Sequence, residues 1–155
     1  MNIRDCMKTE VFSIPMTATV GEAAKVIAQR RIGTLPVVDD GGRLVGMVLL
    51  HDLVALVMPD FVRLVEVFDF VHGFGAVETH LPSPESLMQP VREIMRSPVS
   101  VEETCGLLRA AAILNQRNIL DLPVVSDGGR LVGIASHVDI GVTLLSNWDD
   151  SSKGN

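Results

Sequence analysis

The sequence predicts an α+β chain built from two copies of one β-α-β-β-α unit, with a helical insert between them. Three observations predict it: an internal repeat, an amphipathic helical stripe ahead of it in each copy, and a glycine turn between two β-rich runs inside it. Leu35-Pro-Val-Val-Asp-Asp-Gly-Gly-Arg-Leu-Val-Gly46 returns as Leu122-Pro-Val-Val-Ser-Asp-Gly-Gly-Arg-Leu-Val-Gly133, differing only where Asp39 becomes Ser126. The same offset of 87 residues carries Ser13 onto Ser100, Ala23 and Ala24 onto Ala110 and Ala111, Ile32 onto Ile119, and Asp52 onto Asp139.

Each copy opens with a short apolar segment, 11–14 or 99–101, that reads as a strand. Val20, Ala23, Ala24 and Ile27, matched by Leu107, Ala110, Ala111 and Leu114, fall at i, i+3, i+4 and i+7 and give a helix with one buried face. Two β-rich runs follow, parted by Asp40-Gly41-Gly42 or Asp127-Gly128-Gly129, which supply the positive φ that a tight hairpin needs. A last short helix is expected near Asp52 and near Asp139, where each carboxylate can accept backbone N–H bonds as a cap. The glycines read as turn residues, because no Gly-Lys-Ser/Thr ending of a phosphate loop follows them.

The units expected are a first copy over 1–58, an insert and linker over 59–90, a second copy over 91–146 and a flexible tail over 147–155. Within the insert, Asp60 can cap a helix over about 61–72, and four of the five phenylalanines lie there. Phe61, Leu64, Val65, Phe68 and Val71 follow helical spacing, while Val62, Val67 and Phe70 widen the apolar face, so this helix needs cover on more than one side. That cover is either its own module or a dimer or partner surface. Leu81-Pro-Ser-Pro-Glu85 reads as an extended connector, and 91–95 as a helical turn restarting the repeat. Trp148, the sole tryptophan, is placed either to clasp the fold or to meet another subunit.

Hydrophobic residues make up 47% of the 155, which favours a folded core. No apolar stretch reaches the roughly 20 residues of a membrane span, and the N-terminal segment lacks the apolar core of a signal peptide, so a cytoplasmic protein away from membranes is expected. Cys6 and Cys105, far apart and outside any CxxC spacing, fit ordinary thiols in a reducing compartment. A net charge of −6 and the lack of a basic stripe argue against nucleic acid. No nucleophile elbow, HExxH or catalytic Cys/His/Asp set appears, and His51, His72, His80 and His137 lack metal-ligand spacing. Neither an enzyme nor a metal site is expected.

The order of elements, with Leu-Pro-Val-Val, Asp-Gly-Gly-Arg-Leu-Val-Gly and an Asp six residues beyond that glycine, resembles the CBS domain family over about 3–58 and 91–146, and the duplication resembles a Bateman module. The resemblance implies two domains packed sheet to sheet about a pseudo-twofold axis, with two clefts that take AMP, ADP, ATP or S-adenosylmethionine as regulatory ligands and no obligatory cofactor. A homodimer is expected, with the Phe-rich insert as a candidate interface. With no catalytic domain read in this chain, the regulated protein is expected in trans.

The family's ribose signature, Gly-h-h-Thr/Ser-x-x-Asp with h apolar, is matched in full by Gly133-Ile-Ala-Ser136-His-Val-Asp139. An ionised Asp accepts two bonds from a vicinal diol, and a hydroxyl nearby adds a third. By the same resemblance, adenine is expected against Ser100, Pro123 and Val124, with Ser13, Pro36 and Val37 as counterparts in the first copy. The first copy keeps Asp52 but has Leu49 where the hydroxyl stands in the family. Where some family members carry a basic residue ahead of Leu-Pro, this chain has Thr34 and Asp121; Asp121 repels phosphate, and His51 and His137 are the candidate phosphate donors if protonated. An uncharged ribosyl ligand such as S-adenosylmethionine tolerates the missing base. The competing reading is a ligand-free dimeric scaffold that works through the Phe-rich insert.

Overall fold

The computed structural model describes residues 1–58 and 81–152, with side chains through Trp148. The expected helix over 61–72 lies outside the described residues.

Each copy forms its own three-stranded sheet. In the first, β1 (Ile14–Pro15) runs parallel to β2 (Thr34–Val38), which pairs antiparallel with β3 (Leu44–Leu49). In the second, β4 (Val101–Glu102), β5 (Asp121–Val125) and β6 (Leu131–Ser136) repeat that arrangement. The crossovers are helices α1 (Val20–Arg30) and α4 (Leu107–Arg117), as the apolar spacing predicts. Val20, Ala23 and Ile27 are buried on one, and Leu107, Ala110 and Leu114 on the other.

Local chemistry fixes the ends of these elements. Thr19 caps α1 in a capping box: Glu22 N donates to Thr19 Oγ1 at 3.1 Å and Thr19 N to Glu22 Oε2 at 2.8 Å. In the first hairpin Asp39 Oδ1 accepts from Gly41 N and Arg43 N, both at 2.9 Å, and Gly42 takes φ 80°; Gly129 takes φ 77° in the second.

The lead segments are exchanged between copies. Ile3, at the head of the first copy, is buried in the core of the second with Leu107, Leu114, Leu122 and Val124. Val91, heading the second copy, is buried in the first core with Ile14, Ile27, Leu35 and Val37. Backbone bonds hold both exchanges: Ile3 N to Cys105 O and Val91 N to Ala18 O, each 2.8 Å, and the paired bridges Lys8–Ile134 and Arg96–Met47. Gly133 permits one approach, since a Cβ there would lie 2.6 Å from Met7 Sδ and 3.1 Å from Lys8 O; Gly46 plays the same part beneath Met95 and the Arg96 carbonyl.

Three expectations are corrected, and one of the two alternatives for Trp148 is removed. The connector is helical over α3 (Pro84–Met88), because Ser83 Oγ accepts from Ser86 N at 3.1 Å and Pro84 suits the first helical position. Helix α5 (His137–Ser152) is not short; it runs on past residue 147, where the tail was expected to begin. Helix α2 (Leu50–Ala55) starts two residues before Asp52, which does not cap it. Trp148 is 70% exposed and does not clasp the fold.

Candidate functional site

The signature of the second copy forms where β6 ends and α5 begins. Ser136 occupies the N-cap position: Asp139 N donates to Ser136 Oγ at 3.0 Å, while Ser136 N and Oγ donate to Asp139 Oδ2 at 2.9 and 2.7 Å. Half of the pattern is thus a capping box, and the capping role read for Asp139 is the one it has. Lys8, from the exchanged lead segment, stands 3.4 Å from the same Oδ2 and is largely exposed. Asp139 Oδ1 has no hydrogen bond among the described residues, and Ser136 Oγ keeps a lone pair, so two acceptors three residues apart have capacity left. Burial pushes the Asp139 carboxyl up, but the Ser136 bonds and the Lys8 charge outweigh it and hold it below the ordinary aspartate value.

The first copy is arranged differently. Leu49 is 3% exposed and belongs to the packed interior. Asp52 is held by Arg96 from the other lead segment, with Nε to Oδ2 and Nη2 to Oδ1 both at 2.6 Å. His51 Nε2 accepts from Arg96 Nη2 at 3.0 Å, since a guanidinium can only donate. The Arg96 bonds hold the Asp52 carboxyl below its usual range. Beside this clasp lies a cavity of about 320 Å³, lined by Gly33, Thr34, Leu49, Leu50, His51, Val54 and Met58 of the first copy and by Asn118, Ile119 and Leu120 of the second.

The structure brings Ser136 and Asp139 together and sets the other expected residues as follows. His137 begins α5 with an exposed side chain, its N–H donating to Leu120 O at 2.7 Å. Ser100 and Ser13 are exposed just ahead of β4 and β1; Val101 pairs with Val124, which sets Ser100 beside Pro123. Pro36 and Pro123 are buried, and Val37 and Val124 are core residues at 0% exposure, on strands paired on both sides, so the two valines present no surface to a ligand. Ser13, Pro36 and Val37 do not line the cavity; the segments before β2 and β5 do. The residues that sequence reasoning missed are Lys8 and Arg96. Aligning Ile3 with Val91 and Lys8 with Arg96, an offset of 88 instead of 87, is the signal that would have paired them.

The family model for the CBS domain matches residues 3–59 and 91–140, and the chain belongs to the CBS domain family. It is 29% identical to the chloroplastic CBS domain-containing protein CBSX1 of Arabidopsis thaliana, over 86% of this chain and 58% of that protein, so it spans little more than half of that relative. The crystal structure of Arabidopsis CBSX2 in complex with AMP superposes with a TM-score of 0.69 at 26% identity, covering 94% of this chain and 96% of that one. The CBS domain pair of protein MJ0100, in complex with 5′-methylthioadenosine and S-adenosyl-L-methionine, shares the fold at TM-score 0.67 and 22% identity, over 95% and 98% of the two chains. Modules of this family are in general regulatory and non-catalytic. Among the described residues no helix is long and apolar enough to cross a membrane.

Proposed function

We propose that this chain is a cytoplasmic regulatory module that binds the ribosyl group of an adenosine-type ligand at Ser136 and Asp139 and signals to a partner protein in trans. The observation that carries this reading is the open pair of acceptors, Asp139 Oδ1 and Ser136 Oγ, beside a cation held at 3.4 Å. A vicinal diol donates to both, and exposed Lys8 is free to swing from Asp139 to a phosphate, offsetting the repulsion from Asp121. AMP bound by CBSX2, the relative superposed over nearly its whole length, supports the ligand class. Binding then acts by preferring one arrangement of the two halves, which the exchanged lead segments couple.

Helix α5 also exposes Val138, Val142, Leu145 and Trp148 at helical spacing, and we read that face as the contact between two copies of the chain. Sedimentation of the wild type and of Leu145→Glu, expected as dimer and monomer, tests it.

The ligand test is thermal unfolding with AMP, ADP, ATP, adenosine and S-adenosylmethionine. A ligand at a hundred times its Kd adds about 2.7 kcal/mol and raises Tm by several degrees. The expected result is a rise with at least one of them that Asp139→Ala removes without loss of fold. Indifference to all five, after ligand retained from expression has been stripped, points instead to the ligand-free scaffold.

A further inference from the structure

The two clefts differ in one pair of equivalent cations. Lys8 and Arg96 hold the same place in the two lead segments, and each is laid by its bridge along the last strand of the other copy's sheet. Lys8 makes a single contact of 3.4 Å with Asp139 and leaves Oδ1 open. Arg96 takes both oxygens of Asp52 at 2.6 Å and adds His51 at 3.0 Å. A two-point guanidinium fork gives a carboxylate two N–H donors, as many as the O–H donors a vicinal diol brings to it.

We propose that Arg96 is an internal occupant of the first cleft: it takes the carboxylate that a ribose diol would use and limits the chain to one adenosyl ligand, held in the second cleft. The cavity beside the clasp is of ligand size, about 320 Å³, and its lining is mostly apolar, with Leu49, Leu50, Val54, Met58, Ile119 and Leu120. Of its lining residues His51 touches the clasp, and the carboxylate next along the chain, Asp52, is already bonded. Leu49, in place of a hydroxyl, removes the second acceptor of the signature and leaves Asp52 as the one that remains. Arg96 thus decides stoichiometry, as a residue of specificity and not of catalysis.

The proposal rests on the reading of Ser136 and Asp139 above, and its test separates the two. Adenosine is the probe, because it carries the diol without a phosphate, so removing a cation alters access and not phosphate attraction. Equilibrium dialysis gives bound equivalents per chain for the wild type, Asp139→Ala, and Asp139→Ala combined with Arg96→Met or with Arg96→Lys. Arg96→Lys gives the first cleft the same cation as the second and covers the case in which Arg96→Met fails to fold. The expected counts are one, none, and one for either double variant, with roughly tenfold weaker affinity there because Leu49 supplies no hydroxyl, and with binding abolished by adding Asp52→Ala. Two equivalents in the wild type, one equivalent in Asp139→Ala that Asp52→Ala removes, or none in both double variants overturns the clasp. One equivalent in the wild type, lost in Asp139→Ala and never regained, sinks the clasp alone. None in the wild type but one with Arg96→Met supports the clasp and sinks the Ser136/Asp139 site.

Discussion

Thr34 and Asp121 stand at the same position of the two repeats, 87 residues apart, and face each other where the two halves meet: a Cβ on Gly33, next to Thr34, would lie 3.4 Å from Asp121 Oδ2. Thr34 is buried, and burial pushes the Asp121 carboxyl above the usual aspartate value, against the lowering by Thr34 and Lys8 and with a further push from the Asp139 charge. Between the unfolded pKa and the raised folded one, the folded state therefore binds a proton that the unfolded state has released. Stability from this group is fully present below the unfolded pKa of about 3.9 and is lost as pH rises through the folded value. Asp121→Asn, which keeps an acceptor for Thr34, is expected to raise Tm at pH 7.5, with the gain fading as pH falls toward 4. Asp52 is shifted the other way, so Asp52→Asn should lower Tm at pH 7.5, with the loss fading in acid. Scanning calorimetry from pH 3 to 8 checks both signs, and a pH-independent gain for Asp121→Asn would contradict the assignment.

The exchanged lead segments make a residue of one copy a core residue of the other. Ile3→Ala removes a side chain at 0% exposure and should cost about 2–5 kcal/mol. Hydrogen exchange locates the damage: amides of α4 and β5, in the second copy, should lose more protection than those of α1 and β2, although Ile3 precedes the first copy in sequence. Val91→Ala should show the reverse. Equal loosening of both halves would mean that the exchange couples them too tightly to be resolved into two cores.

Gly133 is the first residue of the ribose signature, yet its place is set by packing. A Cβ there meets Met7 Sδ, which can move, and the Lys8 carbonyl, which cannot, since Lys8 and Ile134 exchange backbone bonds of 2.8 and 3.0 Å. Gly133→Ala is expected to cost about 1–3 kcal/mol in urea unfolding. Gly128→Ala, where nothing lies within 4 Å, is the control and should stay within about 0.5 kcal/mol.

The repeat made the strand order, the crossover helices and the hairpins legible, because Val20, Ala23 and Ile27 announce a buried face and Gly42 and Gly129 a positive φ in sequence alone. The pairing of Ser136 with Asp139 was legible too, since both belong to one helix start. What was not legible came from contacts between distant segments. Nothing local in Lys8 or Arg96 says that each crosses to the other copy, and nothing near Asp52 says that its carboxylate turns from its own helix to Arg96. Val37 and Val124, expected against adenine, fail for the opposite reason: strand alternation sends their side chains into the cores, and nothing of either residue is left at the surface. The prolines of 81–85 suggest an extended connector, yet Ser83 and Pro84 together start a helix.

Ser136 serves two purposes, and its variants should separate them. As the cap of α5 its oxygen accepts from Asp139 N at 3.0 Å, so Ser136→Ala should cost about 1 kcal/mol of stability. As a ligand group its loss removes one hydrogen bond, expected to weaken AMP binding by roughly tenfold. Ser136→Thr keeps the oxygen and should preserve both properties. Asp139→Asn keeps an acceptor for Ser136 N but puts a neutral, partly donating group before the diol. It should therefore lose more affinity than Ser136→Ala while losing less stability than Asp139→Ala. Urea unfolding and calorimetric titration with AMP on the same four variants give the two scales. If stability and affinity fall in proportion across the set, Ser136 and Asp139 act on the ligand only by holding α5 in place, and the direct contact to the ribose is wrong.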